Sequence, residues 1–174
     1  MKKVEWTGGT EHWTQRGDDI KLFLWEKKAK AGVPHAGTIF FVHGSSMASQ
    51  PTFDLSVPGR PWSSVMDWFC ERGFDCWTMD NEGYGRSSKH RNINSDISNG
   101  ADDLEAGTRY VMARNGGKKL YMYGISSGAL KAGLFAERHP ERVERIALDA
   151  FVWTGKDSHT LENRRKKLPE FIAR

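Results

Sequence analysis

Gly124-Ile125-Ser126-Ser127-Gly128 sets two glycines around a central serine in the pattern G-x-S-x-G. An apolar run, residues 120–123, precedes it, and a helix-compatible stretch, residues 127–139, follows it up to Pro140. Strand, sharp turn and helix form the context that gives this pattern chemical meaning. The turn forces the serine into a strained backbone conformation, and side chains in place of Gly124 and Gly128 would collide with their surroundings. Ser126 then presents an exposed hydroxyl at a helix N-terminus, where the helix dipole favours developing negative charge. That chemistry is nucleophilic attack on an acyl carbon.

Two further segments sit in matching positions. His43-Gly44-Ser45-Ser46 follows the apolar run 37–42, and Gly44 lets the backbone turn so that the Ser45 N–H faces across toward Ser126. With the Ser127 N–H it would form a two-donor oxyanion hole, each donor contributing about 3 kcal/mol to a tetrahedral transition state. The His43 side chain is read as structural, hydrogen-bonded to loop backbone. Asp80-Asn81-Glu82-Gly83-Tyr84-Gly85-Arg86-Ser87 follows the run 74–79 and lacks the Lys-Ser/Thr of a phosphate-binding loop. It reads as a structural turn. All three segments lie just past the C-terminal ends of expected strands, where open parallel sheets place their sites.

The elements that must position these residues can be read from hydrophobic pattern. Residues 11–15 and 20–26 flank Arg16-Gly17-Asp18-Asp19, a hairpin turn between two strands. Residues 37–42 are a short continuous apolar run suited to a strand buried on both faces. After a Ser-, Pro- and Gly-rich loop over 44–61, Pro61 begins a helical pattern. Its apolar face is Trp62, Val65, Met66, Phe69 and Cys70, with Gly73 at the C-cap position. Strands follow at 74–79, 120–123 and 143–148, and helices at about 99–114 and 127–139, the first of these stopped by Gly116-Gly117. From residue 37 onward strands and helices alternate, so the fold class is α/β. A mostly parallel sheet carries helices on both faces, with an antiparallel hairpin at the N-terminal side.

Composition narrows the partners. The 174 residues are 38% hydrophobic and 28% charged, with seven Trp and nine Phe, enough aromatic bulk for a core. The net charge is +4, and much of the excess lies in the last twenty or so residues, with Lys156, Arg164, Arg165, Lys166, Lys167 and Arg174. No basic stripe remains elsewhere, so no nucleic-acid partner is expected. No apolar run approaches about 18 residues, so no membrane partner is expected. The N-terminus lacks an export signal, and a cytoplasmic location is expected. Cys70 and Cys76 are expected as buried free thiols. No metal and no cofactor are expected.

Taken together, the His-Gly after the run 37–42, the Asp80-x-x-Gly83-x-Gly85-x-Ser87 loop and the Gly124–Gly128 pentapeptide resemble the α/β-hydrolase superfamily over about residues 10–150. The resemblance implies Ser126 as nucleophile and the Ser45 and Ser127 N–H groups as oxyanion donors, shaped by His43, Gly44, Gly124 and Gly128. A serine rather than an aspartate at position 126 argues against the epoxide hydrolase and haloalkane dehalogenase branches. The implied activity is hydrolysis of an ester, thioester, lactone or related acyl bond in a small-molecule substrate. A non-catalytic ligand-binding module of the same fold is the alternative. Members normally carry further strands after the sixth, with the catalytic His behind the last, so C-terminal strands are expected to be missing here. The core is expected over 1–153, and 154–174 as a helical segment that could begin a cap. Association with a missing C-terminal segment, or with other copies of the chain, is expected in consequence. After Ser126 the acid precedes the His. Asp149, at a strand end, is a candidate acid. His139 lies at the far end of the helix that starts beside Ser126, roughly 20 Å away. His159 is a poor candidate base, in a segment that should be leaving the sheet.

Overall fold

The computed structural model describes residues 8–60, 62–93, 95–152 and 154–169. Six strands form one sheet: β1 (Thr10–Arg16), β2 (Ile20–Lys27), β3 (Gly37–Val42), β4 (Phe74–Met79), β5 (Leu120–Ile125) and β6 (Val143–Asp149). Their spatial order is β1-β2-β4-β3-β5-β6. The hairpin is antiparallel, β2 runs antiparallel to β4, and β4, β3, β5 and β6 are mutually parallel. Among the described residues, α1 (Ser49–Phe53), α2 (Val65–Cys70), α3 (Ile97–Met112) and α4 (Ser127–Arg138) lie between strands, and α5 (His159–Lys166) follows β6.

The central strands are continuous apolar runs because both of their faces are covered. Along β2 and β3, Leu22, Leu24, Phe40 and Val42 pack with Leu104, Val111 and Phe135 of α3 and α4. The alternate positions Phe23, Trp25, Ile39 and Phe41 pack with Phe53, Met66 and Cys70 of α1 and α2. Period-two alternation thus feeds two cores, and each of these buried side chains contributes about 1.5–3 kcal/mol.

Helix starts depart from the sequence pattern at two places. The loop over 44–61 contains α1, whose five residues include a proline and a buried serine. The next helix begins at Val65 rather than at Pro61, which itself lies outside the described residues. Ser64 accepts a hydrogen bond from the Asp67 N–H and caps it, whereas Trp62 has a φ of 69° that no helix accommodates. Trp62 stands beside Asp67, Cys70 and Glu71 at α2, so it lines a surface hollow there. Gly73 ends the turn at φ 89°. Cys70 and Cys76 are both buried and unbridged.

Beyond β6, α5 is polar all round and buries none of its described side chains. Among the described residues no helix is long and apolar enough to cross a membrane.

Candidate active site

Because β3, β4, β5 and β6 are parallel, the loops that leave them emerge on one edge of the sheet. His43-Gly44-Ser45, the 80–87 loop, Ser126 and Asp149 meet there.

Ser126 joins β5 to α4 with φ 58° and ψ −125°. That conformation has a direct chemical consequence. Ser64, Asp96 and Ser158 begin their helices with extended backbone and accept an N–H on their side chains. Ser126 begins α4 without a side-chain cap hydrogen bond, because its strained backbone turns the hydroxyl away from the helix start. It is exposed, while the Ser127 Oγ is buried with no hydrogen-bond partner among the described residues. The flanking glycines are there for space. A Cβ on Gly124 would lie 2.5 Å from the Gly128 carbonyl oxygen, and one on Gly128 would strike the carbonyl oxygens of Val42 and His43.

Gly44 lies against this turn. A Cβ there would stand 3.1 Å from the Ser126 Cβ and 3.6 Å from its Oγ. The close approach puts the 44–45 backbone alongside the Ser126 hydroxyl. Ser127 opens α4, so its N–H is one of the helix-start donors that have no partner within the helix.

His43 is buried beneath this loop. The Asn81 N–H donates to its Nε2 at 3.0 Å, so Nδ1 carries the proton and donates to the Gly44 carbonyl at 2.7 Å. Burial, followed by the nearby Lys131 charge, lowers its pKa to about 4. His43 is therefore neutral at pH 7, as a fixed strut. The 80–87 loop braces the same segment from above: the Tyr84 hydroxyl donates to the Ser45 carbonyl at 3.1 Å and its ring abuts His43. Asp80 holds that loop. Its carboxylate accepts from the Ser49 N–H at 2.8 Å, the Ser49 hydroxyl at 2.7 Å and the Arg86 N–H at 2.9 Å. A Cβ on Gly85 would run into the same carboxylate.

Two buried groups here have contacts that the sequence pattern does not show. Asp80, part of a turn by its sequence, ties α1 to the loop. Lys131 is 3% exposed on α4, donates to the Asn81 Oδ1 at 3.4 Å and nests over Gly100 of α3. Burial lowers its pKa, against the pull of Asp103. A single lysine among Ala129, Ala132 and Gly133 was the available signal.

Asp149 ends β6 beside the turn. Its carbonyl accepts the Ser126 N–H at 2.9 Å, and its carboxylate accepts the Tyr123 hydroxyl at 2.5 Å. Burial and that carboxylate push Tyr123 up to about 12, so the phenol keeps its proton and remains the donor. The chain has six histidines. His12 contacts Glu26 and Tyr110, His35 Asp75, His90 Asp19 and His139 Glu141. His43 is held as described. The His159 side chain is 97% exposed and pairs only loosely with Glu162, at 3.8 Å. No histidine hydrogen-bonds Ser126 among the described residues. Nor do these residues hold a group of three or more His, Cys, Asp or Glu placed to bind a metal ion.

The family described as serine aminopeptidase, S33, matches residues 58–168. The chain belongs to this family of α/β-hydrolases. Solved structures agree in fold with this S33 chain. A bacterial membrane phospholipase A superimposes with a TM-score of 0.65 at 25% identity, over 91% of this chain and 46% of its own. An epoxide hydrolase of Vigna radiata gives 0.65 at 17% identity, over 94% and 46%. A proline iminopeptidase of Mycobacterium smegmatis gives 0.62 at 17%, over 80% and 43%. The S33 chain thus spans about half the length of the structures it matches. The family match supports a hydrolytic role, and the three structures show the fold and leave the substrate open. No curated protein matches the chain.

Proposed function

We propose that this chain carries the nucleophile and the oxyanion donors of a serine hydrolase acting on an ester, thioester, lactone or related acyl bond. One observation supports the reading above the others. Ser126 starts a helix at φ 58° with its hydroxyl exposed and uncommitted, and Gly44 is packed against it. In the mechanism, the Ser126 Oγ attacks the acyl carbon and the carbonyl oxygen becomes an oxyanion held by the Ser45 and Ser127 N–H groups. Collapse expels the alcohol or thiol with a proton, and water then hydrolyses the acyl-enzyme. Asp149 is the proposed acid. A serine hydroxyl needs a base about 2.6–3.2 Å away, and turnover therefore requires a histidine brought to Ser126 from outside the described arrangement.

Oxyanion donors worth about 3 kcal/mol each would still assist attack by the Ser126 hydroxyl on a fluorophosphonate. A fluorophosphonate probe should therefore label the chain slowly and stoichiometrically. Ser126→Ala should abolish labelling with the circular dichroism spectrum unchanged, and Ser127→Ala should keep it. Labelling lost in Ser127→Ala and kept in Ser126→Ala would reverse the assignment. That no histidine hydrogen-bonds Ser126 among the described residues favours a second reading, a ligand-binding module without turnover. Complete absence of labelling on the folded chain would select that one.

A further inference from the structure

We propose that Lys131 is a positioning residue for the oxyanion site, its buried ammonium holding the backbone that aims the Ser45 N–H. The inference rests on the reading of Ser126 as nucleophile. The Lys131 stem crosses Gly100 of α3 so closely that a Cβ there would stand 2.5 Å from its Cδ. The ammonium donates to the Asn81 Oδ1 at 3.4 Å and lies 5.3 Å from the centre of the Tyr84 ring, within cation–π range. Among the described residues no carboxylate forms an ion pair with it. The carboxylates around Asn81 are engaged elsewhere, Glu82 with Arg16 and Arg91, and Asp103 with Arg16. Burying a charge without an ion-pair partner costs stability, and an apolar side chain of the same length would fill the space.

Both groups that the ammonium touches hold the 43–45 backbone. The Asn81 N–H donates to the His43 Nε2 at 3.0 Å, and the His43 Nδ1–H donates to the Gly44 carbonyl at 2.7 Å. That carbonyl belongs to the same peptide unit as the Ser45 N–H. In a trans peptide the C=O and N–H point in opposite directions, so holding the Gly44 carbonyl on His43 turns the Ser45 N–H away from it. The next peptide unit is held by the Tyr84 hydroxyl, which donates to the Ser45 carbonyl at 3.1 Å. Lys131 thus sits at the root of both struts. It lies on α4, the helix that Ser126 begins, so one helix carries the proposed nucleophile and the cation behind the donor that faces it.

The first strut works only while His43 is neutral. An imidazolium would carry a proton on Nε2 facing the Asn81 N–H, donor against donor, and the peptide unit would be free to turn. Four groups face this imidazole from the elements around it. Lys131 of α4 repels a second positive charge, and Asp80 at the end of β4 attracts one. Tyr84 presents its ring, and Asp103 of α3 stands behind Asn81, bonded to its Nδ2 and paired with Arg16. Burial disfavours the imidazolium first and Lys131 second. Burial also lowers the pKa of Lys131 itself, while Asp103 opposes the fall. The range below pH 7 lies more than three units under the ordinary lysine value of 10.5, which leaves room for that fall.

Imidazole and amide 15N spectra of the full chain read this directly. With a pKa of about 4, roughly one His43 in ten carries the second proton at pH 5 in the native chain. Lys131→Gln keeps a donor for Asn81 and removes the charge, so the His43 midpoint should rise by about one pH unit and about half should be protonated at pH 5. Lys131→Arg should keep the native midpoint. Lys131→Met, the apolar replacement of similar length, gives the same test should the glutamine variant fail to fold. The Ser45 amide resonance should move with the same midpoint as His43 in every variant. The ratio of variant to native fluorophosphonate labelling rate should fall about two-fold between pH 7 and pH 5 for glutamine and stay constant for arginine. A native chain that takes no label would remove the reading of Ser126, and the His43 and Ser45 spectra would still decide the role of Lys131. An unmoved His43 midpoint in both neutral variants would overturn the proposal. So would a Ser45 amide that ignores the His43 titration, or a labelling ratio with the same pH dependence in the glutamine and arginine variants.

Discussion

At the scale of the residue, the site depends on what is missing at Gly44 as much as on what is present at Ser126. A valine at position 44 would push its Cβ into the Ser126 Cβ and the Ile125 carbonyl, contacts of 3.1 and 3.2 Å before any branch is added. Displacing the proposed oxyanion donors by fractions of an ångström should slow fluorophosphonate labelling about 100-fold, measured as the second-order rate. Gly83 makes the contrast. It has φ +87° with open space around it, so Gly83→Val should cost about 1–2 kcal/mol in urea unfolding through backbone strain and leave the labelling rate unchanged. Similar effects of both substitutions would mean that Gly44 is a turn residue only. Cys70 and Cys76 are predicted to be chemically quiet. A hydrogen bond with the neighbouring Cys70 thiol, followed by burial, raises Cys76 far above the usual thiol range. Alkylation should be slow in the native chain and reach both thiols only after denaturation, and a mass change of two hydrogens on reduction would contradict it.

At the scale of the element, the loop between β3 and α1 is held by a histidine that must stay neutral. Its folded pKa of about 4 lies below the ordinary value of 6.5. The unfolded chain therefore binds a proton that the folded chain refuses, and stability falls as pH drops from about 6.5 toward 4. The loss approaches about 3 kcal/mol at the acid end of that window. Urea midpoints between pH 7 and pH 4.5 should decline in the native chain, and His43→Gln should flatten this part of the decline. An unchanged slope in the variant would remove His43 from the account. The elements themselves were unequally legible in the sequence. Strands β3, β4 and β5 stand out because burial leaves short apolar runs, and the hairpin because Arg16-Gly17-Asp18-Asp19 marks a turn, where Gly17 takes a φ of 58°. Helix α1 left no pattern. It is short, contains Pro51, and is held by the Asp80 carboxylate from a distant strand end. The start of α2 was misplaced because a proline and a capping serine compete as start signals, and only the Ser64–Asp67 hydrogen bond shows which one acts.

At the scale of the whole molecule, the site divides by sequence range. The pentapeptide around Ser126 was readable because its geometry is local: two glycines and the turn between adjacent elements. The acid and base that the proposed mechanism needs are not, because such partners come from elements across the sheet and nothing in residue spacing records which histidine arrives. His159, exposed and turned to Glu162, follows from the position of α5 and not from any motif. The purified chain should accordingly hydrolyse p-nitrophenyl esters no faster than its Ser126→Ala variant, with His159→Ala indistinguishable from both. Robust turnover lost in His159→Ala would make His159 the base. One feature of the sheet also bears on time. β3 and β5 are neighbours in space, but β4 and α3 are threaded between them in the chain. Gly44 and Ser126 are about 80 positions apart, a separation that makes their meeting a late, slow event in folding. In a refolding experiment, helical signal should recover first and the labelled fraction should lag behind it. The proposed nucleophile would then act as a clock for closure of the central strands, reporting the moment at which the two halves of the chain meet.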